Sequence, residues 1–503
     1  MKSFKFYIAL WCAKTGKFIA TKVLRRNGSI LPGKIALKIC PDFIGKIEKP
    51  RTIIAVTGTN GKTTVCNMIE DVLGDNGYDF IDNKLGANVN VGVATTLING
   101  ANFLGKTTVC NMIEDVLGDN GYDFIDNKLG ANVNVGVATT LINGANFLGK
   151  TKKDLAVLEI DERSSVKIYP YLTPTYLICT NLFRDSMLRN AHSEFISNIL
   201  TKYIPKKTKL ILNADDLISC NIAPTNKRVY FGIDKLTTDE KVCHNIVNDM
   251  PTCPKCDSKL QYDFVRYHHI GRAHCKKCDF SSPKKINYEV TKIDFKKNKL
   301  HLKNNEKEEI YDLITNNIIN IYNMVATISL LREFGLTNLQ INNSLKKQKI
   351  VESRYLEEEY KEIKIISHLA KGMNPIACSR VFEYIKKEKG NKAVILILDD
   401  LHDSIESSEN ISWHYDTDFE FLNDDSIKQI IVTGVRHLDT YVRLRLADIP
   451  KRKIEHMKDE IDATKKIKLK NIDSIYILYD VYTVHLRDKV KDKLKEIIDK
   501  EEV

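Results

Sequence analysis

Unbroken apolar runs alternate with stretches of helical period along most of this chain. The run "RTIIAVT" at 51–57 is β-branched and continuous, which predicts a buried parallel strand. "GTNG" then turns the chain, and "KTTVCNMIEDVL" at 62–73 has the spacing of an amphipathic helix. "DLAVLEI" (154–160), "KAVILILDD" (392–400), "IKQIIVTG" (427–434) and "SIYILYD" (474–480) read as further buried strands. "INIYNMVATISLLREFG" (319–335) reads as a helix stopped by Gly335. Strands interleaved with helices predict an α/β fold with parallel sheets, the C-terminal part doubly wound. The charged runs "EEEYKE" (357–362) and "KVKDKLKEIIDKEEV" (489–503) read as solvated helix faces.

The first 26 residues, "MKSFKFYIALWCAKTGKFIATKVLRR", form a basic amphipathic pattern. The apolar run Phe6 to Ala13 is short, Lys14 and Lys17 interrupt it, and no small-residue cleavage pattern follows, which argues against a signal peptide. Its apolar side is expected to pack on the body of the protein, with an anionic membrane surface as the alternative. No stretch is apolar for long enough to span a bilayer.

Residues 61–104 recur letter for letter as 105–148. Solenoid repeats drift in sequence and number three or more. Two identical copies of 44 residues fit a very recent duplication or a sequence error, with one copy surplus. The strand "YDFID" can enter the sheet from Tyr78 or from Tyr122. The nearer copy has the shorter connection, so 105–148 is expected to be extruded or loosely packed.

A length of 503 residues, 43% hydrophobic and 28% charged, is that of a globular chain of about three domains. Lys+Arg exceeds Asp+Glu by 76 to 65, and the net charge of +11 favours anionic partners. Twelve scattered cysteines in so long a chain point to a reducing cytoplasm rather than a disulfide framework.

The strict phosphate-loop pattern G-x-x-x-x-G-K-[ST] is matched by "GANFLGKT" at Gly100 to Thr107 and again at Gly144 to Thr151. It fails at Gly61-Lys62, where Val56 replaces the first Gly. A phosphate cradle nevertheless needs a buried strand entering the turn and a helix leaving it, so that N–H groups and the helix dipole converge on the anion. Only Thr57 to Thr64 has both. Thr57, Gly58, Thr59, Asn60, Gly61, Lys62, Thr63 and Thr64 are therefore the candidate ATP-binding loop, and the two strict matches are accidental.

"CPKC" at Cys253 to Cys256 and "CKKC" at Cys275 to Cys278 are two knuckles 18 residues apart. Four thiolates in that spacing can close a tetrahedron around a structural Zn²⁺. Cys253, Cys256, Cys275 and Cys278 then fill the shell, leaving His268, His269 and His274 as surface or packing residues.

The ordered set of motifs resembles the Mur ligase family and, within it, the MurT group that amidates peptidoglycan precursors. The resemblance runs through "LPGKIA" (31–36), "TGTNGKTT" (57–64), "GAN" (86–88 or 130–132), "AVLEIDE" (156–162), "TNLFRD" (180–185) and "LNADD" (212–216). It covers nearly the whole chain outside the extra 44 residues. It implies a central ATPase domain with a parallel sheet and an inserted zinc ribbon at about 250–283, plus a C-terminal doubly wound, Rossmann-like domain. The boundaries expected are 1–50 for an N-terminal helical segment, 51–350 for the ATP-binding domain and 351–503 for the C-terminal domain. By the same resemblance, Asn320 and Asn323 approach adenine, and Arg354 ("ESRYLEE") and Lys371 ("HLAKGMNP") complete the nucleotide site.

The chemistry so implied is ATP-dependent, with Lys62 on the phosphates and Mg²⁺ on Thr63 and Glu159. The carboxylate acceptor is the D-glutamate α-carboxylate of the lipid II stem peptide. Ammonia comes from a GatD-type glutamine amidotransferase, whose triad the MurT group completes with an Asp. In "NISWHYDTDFE" Asn410 occupies that Asp position, so hydrogen bonding is retained and charge is lost. "RDSMLRNAH" also departs from the group's pattern, with Leu188 at an acidic position. The implied location is cytoplasmic, peripheral to the inner face of the membrane. Two other readings are a degenerate relative that binds nucleotide or partner without full activity, and a zinc-ribbon P-loop protein that binds nucleic acid. The second wants a basic, aromatic-rich strand face, whereas the basic residues here are spread along the chain, so no nucleic acid is expected.

Overall fold

The computed structural model describes residues 2–23, 30–59, 62, 65, 68–69, 72, 76, 80–82, 133–184, 192–347, 355–370, 374–398, 411–480 and 483–501. The chain divides into two compact units, 1–183 with 193–243 and 250–351, and 184–192 with 244–249 and 352–503.

The first unit opens with helices α1 (Phe4–Phe18) and α2 (Leu31–Ile39). Its sheet contains β1 (Thr52–Thr57) and β2 (Phe80–Asp82), followed after helix α3 (Asn134–Asn143) by β3 (Leu155–Glu159) and β4 (Tyr176–Cys179). Helix α4 (Ser193–Tyr203) leads to β5 (Lys209–Asn213) and β6 (Arg228–Ile233). A separate antiparallel hairpin, β7 (Leu260–Tyr267) and β8 (Ile270–Cys275), precedes β9 (Tyr288–Asp294), β10 (Lys299–Asn304) and β11 (Lys307–Asp312). Helix α5 (Ile318–Phe334) follows. The strand order is β11-β10-β9-β6-β5-β4-β1-β3-β2, parallel from β2 through to β9 and antiparallel beyond. Strand β1 lies between β3 and β4, so chain order reverses across it. In such sheets that crevice, at the carboxyl ends of the strands, is where ligands bind.

Burial explains the elements. Strand β1 is enclosed on both faces, as its continuous apolar run requires. Beyond the turn, Lys62, Val65, Met68, Ile69 and Val72 are helical, and the last four, at helical spacing, are fully buried. Helix α1 turns Phe6, Ala9, Leu10 and Ala13 into the same core as β1 and β3, with the Phe6 ring stacked 5.0 Å from Phe43. The expected packing of this helix on the protein is therefore present. In "LPGKIA", Gly33 brings α2 against α3. Its N–H donates to Thr139 Oγ1 at 2.8 Å, and a Cβ there would fall 1.8 Å from the Val135 carbonyl oxygen.

The duplication is resolved differently from the expectation. The nearer "YDFID" does supply β2, which pairs with β3 through Phe80↔Leu155. The end of the second copy is equally part of the core, because α3 buries Val137, Ala138, Leu141 and Ile142. The end of the second copy is thus packed in the core rather than extruded. Chain continuity gives the reason. The phosphate-loop helix must follow β1 closely and α3 must precede β3 closely, so one copy is pinned at each end. The intervening 83–132, and with them the strict match at Gly100 to Thr107, lie outside the described residues. The match at Gly144 to Thr151 forms a turn closed by an Ala145↔Thr151 bridge and leads into β3, with no helix after it.

The second unit is a six-stranded sheet ordered β12-β13-β17-β14-β15-β16. Its strands are β12 (Tyr355–Tyr360), β13 (Ile363–Leu369), β14 (Lys392–Ile397), β15 (Ile427–Val432), β16 (Ile454–His456) and β17 (Ser474–Tyr479). All neighbours are parallel except β12, which pairs antiparallel with β13. Helices α6 (Pro375–Lys387), α7 (His437–Leu446) and α8 (Val484–Glu501) alternate with the strands, as in a doubly wound domain. One charged run differs from the sequence reading, and the other agrees with it. "EEEYKE" is edge strand β12 and its turn, where charge blunts an exposed edge. The tail as far as Glu501 lies in α8, a helix with one face solvated as read, whose other face buries Val490, Leu494 and Ile498.

Candidate active site

The candidate site of the first unit is built from the carboxyl ends of its parallel strands. At the end of β1, Thr57 is fully buried and donates its hydroxyl to Ile160 O at 2.9 Å. Gly58 has φ +129°, and a Cβ there would fall 2.2 Å from Thr180 Oγ1. A side chain is therefore excluded on both conformational and steric grounds. Thr59 is fixed from three sides: its N–H donates to Asn181 O, its hydroxyl to Phe183 O, and the Phe183 N–H returns to its oxygen at 2.9 Å. The turn is thus clamped onto the segment leaving β4.

Lys62 opens the helix after this turn. Its ammonium lies 2.9 Å from Glu162 Oε1 and also donates to Gly58 O. The Gly58 N–H donates to the same Glu162 oxygen at 3.0 Å. Burial pulls the Lys62 ammonium towards neutrality, but the Glu162, Glu159 and Asp161 carboxylates outweigh it and hold the lysine charged. Burial pushes the Glu162 carboxyl up, and Lys62 opposes that rise. Glu159 ends β3 opposite Val56, buried beside this pair. Asp161 caps the next turn, accepting from the N–H groups of Arg163 and Ser164.

The structure therefore brings Thr57, Gly58, Thr59, Lys62 and Glu159 together, and it adds Glu162. Glu159 is the last residue of β3, where the motif "AVLEIDE" placed it. Glu162 lies past the strand end, where no periodicity fixes direction, although its presence in "AVLEIDE" was a signal. Asn60, Gly61, Thr63 and Thr64 lie outside the described residues.

Helix α5 carries Asn320 and Asn323, whose side chains approach at 3.4 Å, with Asn323 buried. Between them in sequence, Tyr322 donates to Asp215 Oδ2 at 2.7 Å, just beyond the end of β5. Asp215 also receives Arg272 at 2.9 Å and Arg266 at 3.3 Å, and Arg266 further binds the Tyr322 hydroxyl and Asp239. Both arginines project from the β7–β8 hairpin, so this buried network ties the hairpin to α5. Nothing in the sequence pattern connects these positions.

At the base of that hairpin the four sulfurs of Cys253, Cys256, Cys275 and Cys278 all lie within 4.8 Å of one another. The Cys253–Cys278 and Cys256–Cys275 pairs are at 3.5 Å. A tetrahedron with Zn–S bonds of about 2.3 Å spaces sulfurs by ~3.8 Å, so the donor set fits Zn²⁺. The N–H groups of Lys255 and Lys277 donate to Cys253 and Cys275 sulfurs at 3.4 and 3.3 Å, as suits thiolate acceptors. His268 and His269 are fully buried, not at the surface. His269 lies 3.2 Å from Asp216, whose other oxygen accepts the Leu182 N–H, and packs on Phe183. His274 is on the surface, 3.1 Å from Asp263. None of the three joins the sulfur cluster.

In the second unit, Arg354, Lys371 and Asn410 lie outside the described residues, as does Leu188. The segment after Asn410 is ordered by its own contacts. Asp416 faces Arg184 at 3.3 Å, and Asp418, buried, accepts from Asn245 Nδ2 at 3.0 Å. Burial pushes the Asp418 carboxyl up. His414 is buried as well, and desolvation together with Arg443 and Arg436 lowers its pKa to about 4.

Residues 369–484 match the family described as MurT ligase C-terminal. The chain is similar to the lipid II isoglutaminyl synthase (glutamine-hydrolyzing) subunit MurT of Staphylococcus aureus strain COL, with 30% identity over 435 residues, 86% of this chain and 85% of the relative. It is also similar to the protein of the same name from Streptococcus pneumoniae strain ATCC BAA-255 / R6, with 27% identity over 99% of each chain. Among solved structures it resembles a pseudomurein peptide ligase type C from Methanothermus fervidus, with a TM-score of 0.58 and 20% identity, covering 94% of this chain and 85% of that one. That last likeness is one of fold.

Proposed function

Because this chain belongs to the MurT family of Mur-type ligases, we propose that it amidates the D-glutamate α-carboxylate of the lipid II stem peptide to D-isoglutamine, at the expense of ATP. Residues 51–350 then bind ATP and 351–503 form the C-terminal domain. The observation that carries the reading is the Thr57–Lys62 turn. It stands at the switch point of a parallel sheet, with a buried lysine held charged among three carboxylates.

In the reaction, a carboxylate oxygen attacks the γ-phosphorus and ADP leaves; ammonia then attacks the acyl phosphate carbon and inorganic phosphate leaves. Bound Mg²⁺, held by Thr63 and Glu159, would supply charge neutralisation at the phosphates. Lys62 exchanges its Glu162 contact for a phosphate oxygen and stays protonated in both states. Glu162, released, keeps its bond to the Gly58 N–H and so holds the loop open for the anion. Asn320 and Asn323 face the adenine, with Arg354 and Lys371 completing the nucleotide site. The four cysteines hold Zn²⁺ as a structural centre.

Ammonia is supplied by a GatD-type glutamine amidotransferase in a heterodimer, acting on lipid II at the inner membrane face; no nucleic acid takes part. Asn410 favours a variant of this reading in which glutamine-fed activity is weak and free ammonium is used. Hydroxylamine trapping tests the acyl phosphate: lipid II, ATP and hydroxylamine should yield a stem-peptide hydroxamate with unmodified protein and none with Lys62→Ala. ATP hydrolysis without hydroxamate would point instead to the degenerate relative.

A further inference from the structure

Helix α1 is apolar on two opposite faces, and the described residues cover only one. At about 3.6 residues per turn, Phe6, Ala9, Leu10 and Ala13 face the core. Phe4, Ile8, Trp11 and Phe18 follow at intervals of four, three and seven residues and make a stripe on the far side, about 21 Å long. Phe4 is 78% exposed, Trp11 47% and Phe18 61%. The turn at 144–151, the accidental phosphate-loop match, lies beside this stripe. The Trp11 indole donates to Phe147 O at 3.0 Å and the Lys14 ammonium lies 5.3 Å from the Phe147 ring centroid. Phe147 and Leu148 at the tip of that turn are 69% and 57% exposed, so the turn extends the apolar surface.

The surroundings are basic. Residues 1–41 contain nine Lys and Arg and no Asp or Glu. Lys2 donates to the carbonyls of Leu148 and Gly149, and Lys17 to Asn143, so cations border the stripe where it meets the turn. Exposed aromatic side chains rimmed by lysines are the features of a helix lying in the headgroup region of an anionic bilayer. A tryptophan whose N–H end is polar and whose ring is apolar suits that depth. A partner protein would cover the apolar stripe, but it would not call for a surrounding segment wholly free of acidic residues.

We propose that the outer face of α1, with the Phe147–Leu148 turn, docks the protein on an anionic phospholipid surface. The proposal does not rest on the amidation chemistry, because binding is read without ATP, glutamine or lipid II.

Co-sedimentation of the full chain with vesicles of phosphatidylglycerol and phosphatidylcholine in equal parts tests it, with phosphatidylcholine alone as the comparison. The expected result is binding to the anionic vesicles that weakens at high salt and falls about tenfold or more in Phe4→Ser/Phe18→Ser/Phe147→Ser. These side chains are solvent-exposed, so the variant should keep the thermal unfolding of the parent. Trp11 emission should shift to the blue on vesicle addition, while buried Trp413, the other tryptophan, contributes no shift. Absence of binding by the unmodified protein, equal binding by the triple variant, or equal binding to neutral vesicles would overturn the proposal. So would a self-association that the triple variant abolishes without any vesicle binding by the parent, since the stripe would then be covered by a second copy.

Discussion

Lys62 is where the phosphate-loop assignment is decided. The strict pattern prefers Lys106 and Lys150, yet Lys62 follows a buried strand and heads a helix whose described residues are buried at helical spacing, whereas Lys150 leads into β3 with no helix after it. Lys62→Ala should lower ATP turnover by more than about 10³-fold, the scale of losing a charge-stabilising group in phosphoryl transfer. Lys106→Ala should leave it nearly intact, and equal losses in a phosphate-release assay would refute the assignment. At Asn410 the expectation concerns nitrogen source. Asn410→Asp should raise glutamine-fed amidation by up to about 10⁴-fold, the scale of a triad carboxylate, and leave the ammonium-fed rate unchanged. Asp416 is already engaged with Arg184, which leaves it less free to orient a partner histidine.

His414 adds a pH dependence at the same scale. Its folded pKa is depressed to about 4 from an ordinary 6.5, so the unfolded chain binds the extra proton first. Its contribution is fully present above pH ~6.5 and is lost as pH falls towards 4, by up to about 3 kcal/mol. Urea midpoints should therefore drop between pH 7 and 5, and less so in His414→Gln. Residue placements were legible where a motif fixed both type and direction, as at Gly58 and the four cysteines. They were not legible for Glu162 and the Asp215 network, because turn direction and long-range pairing leave no local pattern.

Among elements, the β7–β8 hairpin matters for more than its metal. Cys275→Ser should release the zinc and destabilise the hairpin, since binding energy in such sites is folding energy. Arg266 and Asp215 carry that hairpin's position to Tyr322 on α5, between the two asparagines proposed to face adenine. Arg266→Met is therefore expected to raise the KM for ATP about tenfold, an effect of ~1.4 kcal/mol, with kcat little changed. A fall in kcat at constant KM would show that the network does not position the helix. The buried strands were readable because burial on both faces requires an unbroken apolar run, as in β1, β14, β15 and β17. Strand β12 was not, because an edge strand is free to be charged and then looks like a helix face.

For the whole molecule, the duplication and the reaction remain to be tested. Because the two copies are identical and adjacent, removing 61–104 or 105–148 yields the same 459-residue chain, 503 less 44. That chain keeps one phosphate-loop helix, one β2 and one α3, so its thermal unfolding temperature should equal or exceed that of the full chain. A marked loss of folding would show that the extra residues are integral.

The central claim is that the chain is an amidating ligase whose ATP chemistry is centred on Lys62. The most direct measurement is mass spectrometry of the lipid II stem peptide after incubation with ATP, Mg²⁺ and ammonium. The account predicts replacement of the D-glutamate α-hydroxyl by an amine, dependent on ATP and absent with Lys62→Ala. Unchanged lipid II after ATP consumption, or amidation that survives loss of Lys62, would contradict it.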